Sequence, residues 1–80
     1  MNVKVIVTLK KEVLDPQGKA VEGALRRLGY GNVGNVRVGK YIEFALEGKD
    51  RETAGRQIRD MCEKLLSNPV IENARYELAD

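Results

Sequence analysis

The sequence contains no histidine and no tryptophan, a single cysteine and two prolines, and none of its apolar runs approaches membrane length. Without histidine, triads built on an imidazole base, imidazole acid–base steps and histidine metal sites are excluded. Cys62 alone forms neither an intrachain disulfide nor a multi-cysteine metal site. Aromatics are scarce, three tyrosines and one phenylalanine, which leaves little surface for stacking bases. Neither charge sign dominates: 14 basic and 12 acidic residues give +2, so no nucleic-acid or membrane partner is expected. The start, Met1-Asn2-Val3-Lys4, lacks the charged head and apolar stretch of a signal peptide, so a cytoplasmic location is expected.

What is present suits one small folded unit. Eighty residues with 42% hydrophobic and 32% charged composition make a single domain, 1–80, whose core is thin enough that help from a partner chain is expected. Val3, Val5, Val7 and Leu9 alternate with more polar neighbours and predict a strand, with Ile6 an apolar residue on its polar side. Asp15 as cap and Pro16 at the first helical position open a helix. Its apolar stripe is Ala20, Val21, Ala24, Leu25 and Leu28, Glu22 and Arg26 pair on its outside, and Gly29 ends it.

Val36, Val38, Ile42, Phe44 and Leu46 share one parity. They fit one long strand or a hairpin, and the hairpin with a three-residue connection, Gly39 to Tyr41, is preferred. It pairs Val38 with Ile42 and Val36 with Phe44, and sets Arg37 opposite Glu43. Gly48-Lys49-Asp50 is a break with Asp50 a second cap. Ala54, Ile58, Met61, Cys62, Leu65 and Leu66 then follow at helical spacing, with Glu52–Arg56 and Asp60–Lys64 among the outer pairs, until Asn68-Pro69 stops the helix. Val70 to Leu78 reads as a last strand. The order β-α-β-β-α-β predicts an α+β, ferredoxin-like sandwich: a four-stranded antiparallel sheet with two helices on one face. The open face would carry Ile6, Tyr41 and Ala45 among charged residues, which suggests association through the sheet or its edges.

Several motifs carry less than their letters suggest. Gly29 to Gly34 matches G-x-G-x-x-G, but a helix precedes it and a strand follows, the reverse of a dinucleotide site, so it reads as helix cap plus loop. Cys62 lies in a core stripe and reads as a packed thiol. Phe44 falls on the core parity and no Arg/Lys-Gly-aromatic run is present, against RNA binding. Lys10, Lys11 and Lys19 flank the first cap, and Arg37 and Lys40 flank the hairpin; these cations could hold a phosphate or a partner's carboxylate. No nucleophile–base pair, phosphate loop or metal cluster is seen, so no catalytic residue, cofactor or metal is assigned.

Four strings go further. Leu14-Asp15-Pro16-Gln17-Gly18-Lys19-Ala20-Val21, Leu28-Gly29-Tyr30, Val36-Arg37-Val38-Gly39-Lys40-Tyr41 and Asn68-Pro69-Val70-Ile71-Glu72 resemble, in order, the signatures of the PurS family, the small subunit of phosphoribosylformylglycinamidine synthase. Glu12 stands where that family often has glycine, and Asn73-Ala74 replaces a usual acidic–aromatic pair. The resemblance implies a non-catalytic subunit of a purine-biosynthetic amidotransferase. It would dimerise, or form a dimer of dimers, hold a glutaminase and a larger synthetase subunit together, and help ammonia pass between them. The interface candidates it implies are Asp15, Pro16 and Gly18, then Arg37, Gly39, Lys40 and Tyr41, then Asn68, Pro69 and Glu72. A small-molecule-binding regulatory domain of the ACT type shares the element order and is the alternative.

Overall fold

In a computed structural model, which describes residues 1–48 and 50–79, the first strand β1 (Asn2–Leu9) is the centre of an antiparallel sheet. It is flanked by β2 (Lys40–Ala45) and β3 (Glu72–Ala79), in the order β2-β1-β3. Helix α1 (Pro16–Arg27) links β1 towards β2, and α2 (Arg51–Met61) leads through a π-helical turn (Cys62–Leu66) to β3. Lys49, part of the break expected before α2, lies outside the described residues, as does Asp80.

The period-two pattern of β1 is realised in full. Val3, Val5 and Val7 are completely covered, facing Phe44, Ile42 and Lys40 on one side and Leu78, Tyr76 and Ala74 on the other. Ile58, Cys62 and Ala54 of α2 and its π turn close this face. The opposite face stays open. There Lys4 lies between Glu43 and Glu77, and Ile6 between Tyr41 and Arg75, so opposite charges meet directly across the strands.

The sheet has three strands, not the four expected, and the hairpin does not form. Val38 does not pair with Ile42, Val36 does not pair with Phe44, and Arg37 does not face Glu43; the chain runs on from Val36 into β2, whose partner is β1. The cause is local. The Val38 N–H donates to Asp15 Oδ2 at 2.8 Å and the Val36 N–H to Glu22 Oε1 at 3.3 Å. Those two N–H groups, on the same side of an extended segment, are the ones a fourth strand would ladder with. With carboxylates from α1 holding them, β2 keeps an open outer edge.

The expected stripe of α1 is not core either. Val21 is 42% exposed and Leu28 73%, and Gly18 is the buried residue of that helix. In α2 the stripe holds as far as Cys62, but in the π turn Leu65 is 83% exposed. The last strand starts at Glu72 rather than Val70, which is exposed in the preceding turn. Both caps form as expected, Asp15 accepting from Gly18 N and Asp50 from Glu52 N, and Gly29 takes φ 105° after α1. The outer pairs Glu22–Arg26, Glu52–Arg56 and Asp60–Lys64 are made.

Candidate functional site

The residues singled out in the sequence gather around the segment that enters β2, in two polar joints on either side of it. The first joint is centred on Asp15. As N-cap it accepts the Gly18 N–H on Oδ1 at 2.9 Å, and its other oxygen takes the Val38 N–H at 2.8 Å. The carboxylate is only 4% exposed. The bonds from Val38 and then Gly18, with a smaller contribution from the Arg37 guanidinium 4.0 Å away, hold its pKa below the usual carboxylate value. Pro16 at the helix start needs no N–H partner there. Gly18 lets the helix lie directly against the segment: a Cβ at that position would overlap the Val36 carbonyl oxygen and sit 2.9 Å from Asp15 Oδ2.

Arg37 ties the segment to the loop after β1. Its Nη2 donates to the carbonyls of Lys10 at 2.9 Å and Val13 at 2.8 Å. Gly39 then passes close over β1, where a Cβ would come to 2.5 Å from the Val7 carbonyl oxygen and 3.2 Å from the Thr8 methyl. Asp15, Pro16, Gly18, Arg37 and Gly39 thus form one joint, although they come from two distant stretches of sequence.

The second joint begins one residue later. Lys40 Nζ lies 3.8 Å from Glu72 Oε2 and donates to the Leu66 carbonyl at 3.4 Å. Glu72 in turn accepts the Asn68 N–H at 2.6 Å, and its own N–H donates to the Asn68 carbonyl at 2.7 Å. The Asn68 side chain accepts the Val70 N–H at 3.1 Å, a side-chain turn that sets the chain for β3. Pro69 borders an open cavity of about 520 Å³ that Cys62, Glu72 and Tyr76 also line. The start of β2, the end of the π turn and the start of β3 are therefore locked to each other.

Tyr41 stands apart from both joints. It lies on the open face, and its hydroxyl donates to Glu43 Oε1 at 2.5 Å. That bond, with burial and the negative charges of Glu43 and Glu77 adding to it, pushes the phenol pKa up to about 12. Glu22 was missed as a member of the first joint. Its place four residues before Arg26 marked it as an outer ion-pair residue, and it makes that pair at 3.9 Å while also accepting from Val36. Cys62 is buried, which raises its thiol pKa. Among the described residues no group of three acidic or cysteine side chains is placed to hold a metal, and no helix is long and apolar enough to cross a membrane.

The pattern that holds these joints is shared with known proteins. The family model for PurS, phosphoribosylformylglycinamidine (FGAM) synthase, matches residues 2–80. The chain belongs to the PurS family. It is 51% identical to the synthase subunit PurS of Bacillus subtilis over 78 residues, 98% of this chain and 92% of that one. The Bacillus subtilis PurS crystal structure superposes with a TM-score of 0.89 at 51% identity, covering 99% of this chain and 98% of the other. The matching chain in the Thermotoga maritima PurLQS structure gives a TM-score of 0.82 at 32% identity, with 96% of both chains covered. As a member of the PurS family, this chain is a subunit of FGAM synthase in purine biosynthesis.

Proposed function

We propose that this chain is the assembly subunit of FGAM synthase and that the reaction itself is carried out on its partner chains. In that reaction formylglycinamide ribonucleotide, glutamine, ATP and water give the amidine, glutamate, ADP and phosphate. A glutaminase subunit releases ammonia and a synthetase subunit uses ATP to activate the amide. Ammonia that escapes to bulk water is protonated and stops being a nucleophile, so the two centres must be held in register and screened from solvent. The observation that carries this reading is the likeness to a PurS-family chain seen in the Thermotoga maritima PurLQS structure.

The fold supports it. Two polar joints fix the path of residues 36–40 while apolar surface is left uncovered on α1, at Val21 and Leu28, and on the π turn, at Leu65. Uncovered apolar surface together with an open β2 edge is what a chain built to associate presents. A homodimer or a dimer of dimers working in the cytoplasm fits these features. In such an assembly Tyr41 and the outer charges of Arg37 and Lys40 are the side chains offered to partners, whereas Asp15, Pro16, Gly18, Gly39, Asn68, Pro69 and Glu72 set the backbone that presents them.

The deciding experiment is reconstitution. The chain is mixed with the matching synthetase and glutaminase, and glutamine-dependent and ammonia-dependent amidine formation are assayed separately. Omitting the chain is expected to abolish the glutamine-dependent rate. If both rates are unchanged without it, the assembly reading fails.

A further inference from the structure

Where β1 ends, a cleft of about 570 Å³ opens between the strand end and residues 35–37, lined by Thr8, Leu9, Lys11, Asn35, Arg37 and Asn73. Three connections bring these residues together. Thr8 and Asn73 are ladder partners on the open face. Asn35 turns the chain with a left-handed backbone, φ 57°. Arg37 clasps the carbonyls of Lys10 and Val13, so the loop that carries Lys11 is tied to the segment that carries Arg37. The lining therefore holds two cations, two carboxamides and a hydroxyl, and no carboxylate.

Asp15 balances part of the Arg37 charge from inside the fold and is not itself part of the cleft lining. Asp15 lies 4.0 Å from Arg37 Nε, but it is buried and its two oxygens already accept N–H groups from Gly18 and Val38. The bonds to Lys10 and Val13 use Nη2, so the Nη1 donors of Arg37, which also lines the cleft, are not committed to them. With Lys11 and Arg37 both lining the opening and no carboxylate among its lining residues, an anion is favoured there.

We propose that this cleft binds a phosphate monoester carried by a small molecule. Its volume lies within the range of small-ligand sites, roughly 300–1,000 Å³. The remaining Nη1 donors of Arg37, the Lys11 ammonium, the carboxamides of Asn35 and Asn73 and the Thr8 hydroxyl together can meet the several oxygens of such a group. Leu9 adds an apolar side chain to the lining for the carrier. Of its lining only Arg37 is also among the side chains offered to partners in the assembly reading; Thr8, Lys11, Asn35 and Asn73 are not.

The test is an amide NMR titration of the full-length chain in its purified oligomeric form. The probes are inorganic phosphate and adenosine 5′-monophosphate at constant ionic strength, with succinate as the carboxylate control. The amides of Thr8, Lys11, Asn35, Arg37 and Asn73 are expected to shift together and saturably with both phosphates. Lys11→Glu and Asn73→Asp should each weaken binding about tenfold or more, with the thermal midpoint unchanged. Absence of saturable shifts, or binding that survives both substitutions, overturns the proposal. Succinate binding as tightly as phosphate also overturns it and reassigns the cleft to an acidic partner surface.

Discussion

Asp15 and Gly18 are three residues apart, and their joint depends on both carboxylate oxygens and on a missing side chain. Gly18→Ala places a methyl against the Val36 carbonyl, and overpacking of this kind costs about 1–3 kcal/mol. Chemical denaturation should show that loss with the slope unchanged. The acid limb of stability belongs to the same scale. Asp15 and Asp50 both have pKa values lowered from 3.8, Asp15 chiefly by the Val38 N–H and Asp50 by the Thr53 hydroxyl. A carboxyl depressed in the folded state contributes stability that is fully present above its unfolded value and is lost as pH falls through the folded one. Thermal midpoints should therefore hold down to about pH 5 and fall below about pH 4. Replacing Asp15 by Asn should flatten part of that fall, because the titrating group is gone. Tyr41 titrates at the other end. Glu43→Gln removes the carboxylate its hydroxyl bonds to, and the phenol pKa should move from about 12 towards the ordinary 10, as read by NMR of labelled tyrosine.

At the scale of elements, what is legible in the sequence depends on what each element packs against. The alternation of β1 was readable because that strand is covered by α2 on one face and flanked on both edges, so every residue has a fixed environment. The stripe of α2 was readable as far as Cys62 for the same reason. Ile58 is fully buried between β1 and the helix, and Ile58→Ala should cost about 2–5 kcal/mol, measurable by denaturant midpoint. The stripe of α1 was equally clear as a pattern, yet it does not lie in the core of this chain. A helical stripe says which side of a helix wants cover and is silent on whether the same chain supplies it. The hairpin failed for a different reason. Parity allows either a hairpin or one extended run, and the choice was made by N–H groups of Val36 and Val38 bonding to carboxylates 14 and 23 residues away. Of the candidate site, Asp15 as a cap and the turn at Asn68-Pro69 were legible because their partners lie within four residues. Arg37 clasping Lys10 and Val13 was not, since no local rule links positions 24 and 27 apart.

The whole molecule is elongated, 49 × 26 × 15 Å with a radius of gyration of 16.0 Å, where a compact domain of this length has about 12 Å. A core of three valines, Ile58 and Cys62 is small for a free-standing chain, so apolar surface covered by association would add to its stability. Val21→Asp and Leu28→Asp on the uncovered side of α1 should leave the helix formed and shift sedimentation towards the monomer. An unchanged oligomer would place the contact elsewhere. Lys40→Glu puts a negative charge beside Glu72 and removes the bond to the Leu66 carbonyl, so it should loosen the second joint and lower the thermal midpoint even where assembly is restored by excess partner.

By itself the sequence determined the element order apart from the fourth strand, the two caps, the buried face of β1, the lack of histidine chemistry and, through four ordered strings, the family. Each of these follows from neighbours within a few residues or from composition. The tertiary structure alone decided that the segment before β2 is pinned to α1 instead of folding back as a strand, that the apolar side of α1 stays open, and that ten scattered residues resolve into two joints and one exposed tyrosine. Those outcomes turn on single hydrogen bonds between carboxylates and backbone N–H groups far apart in the chain, and on close approaches at Gly18 and Gly39, which exist only once the chain has folded.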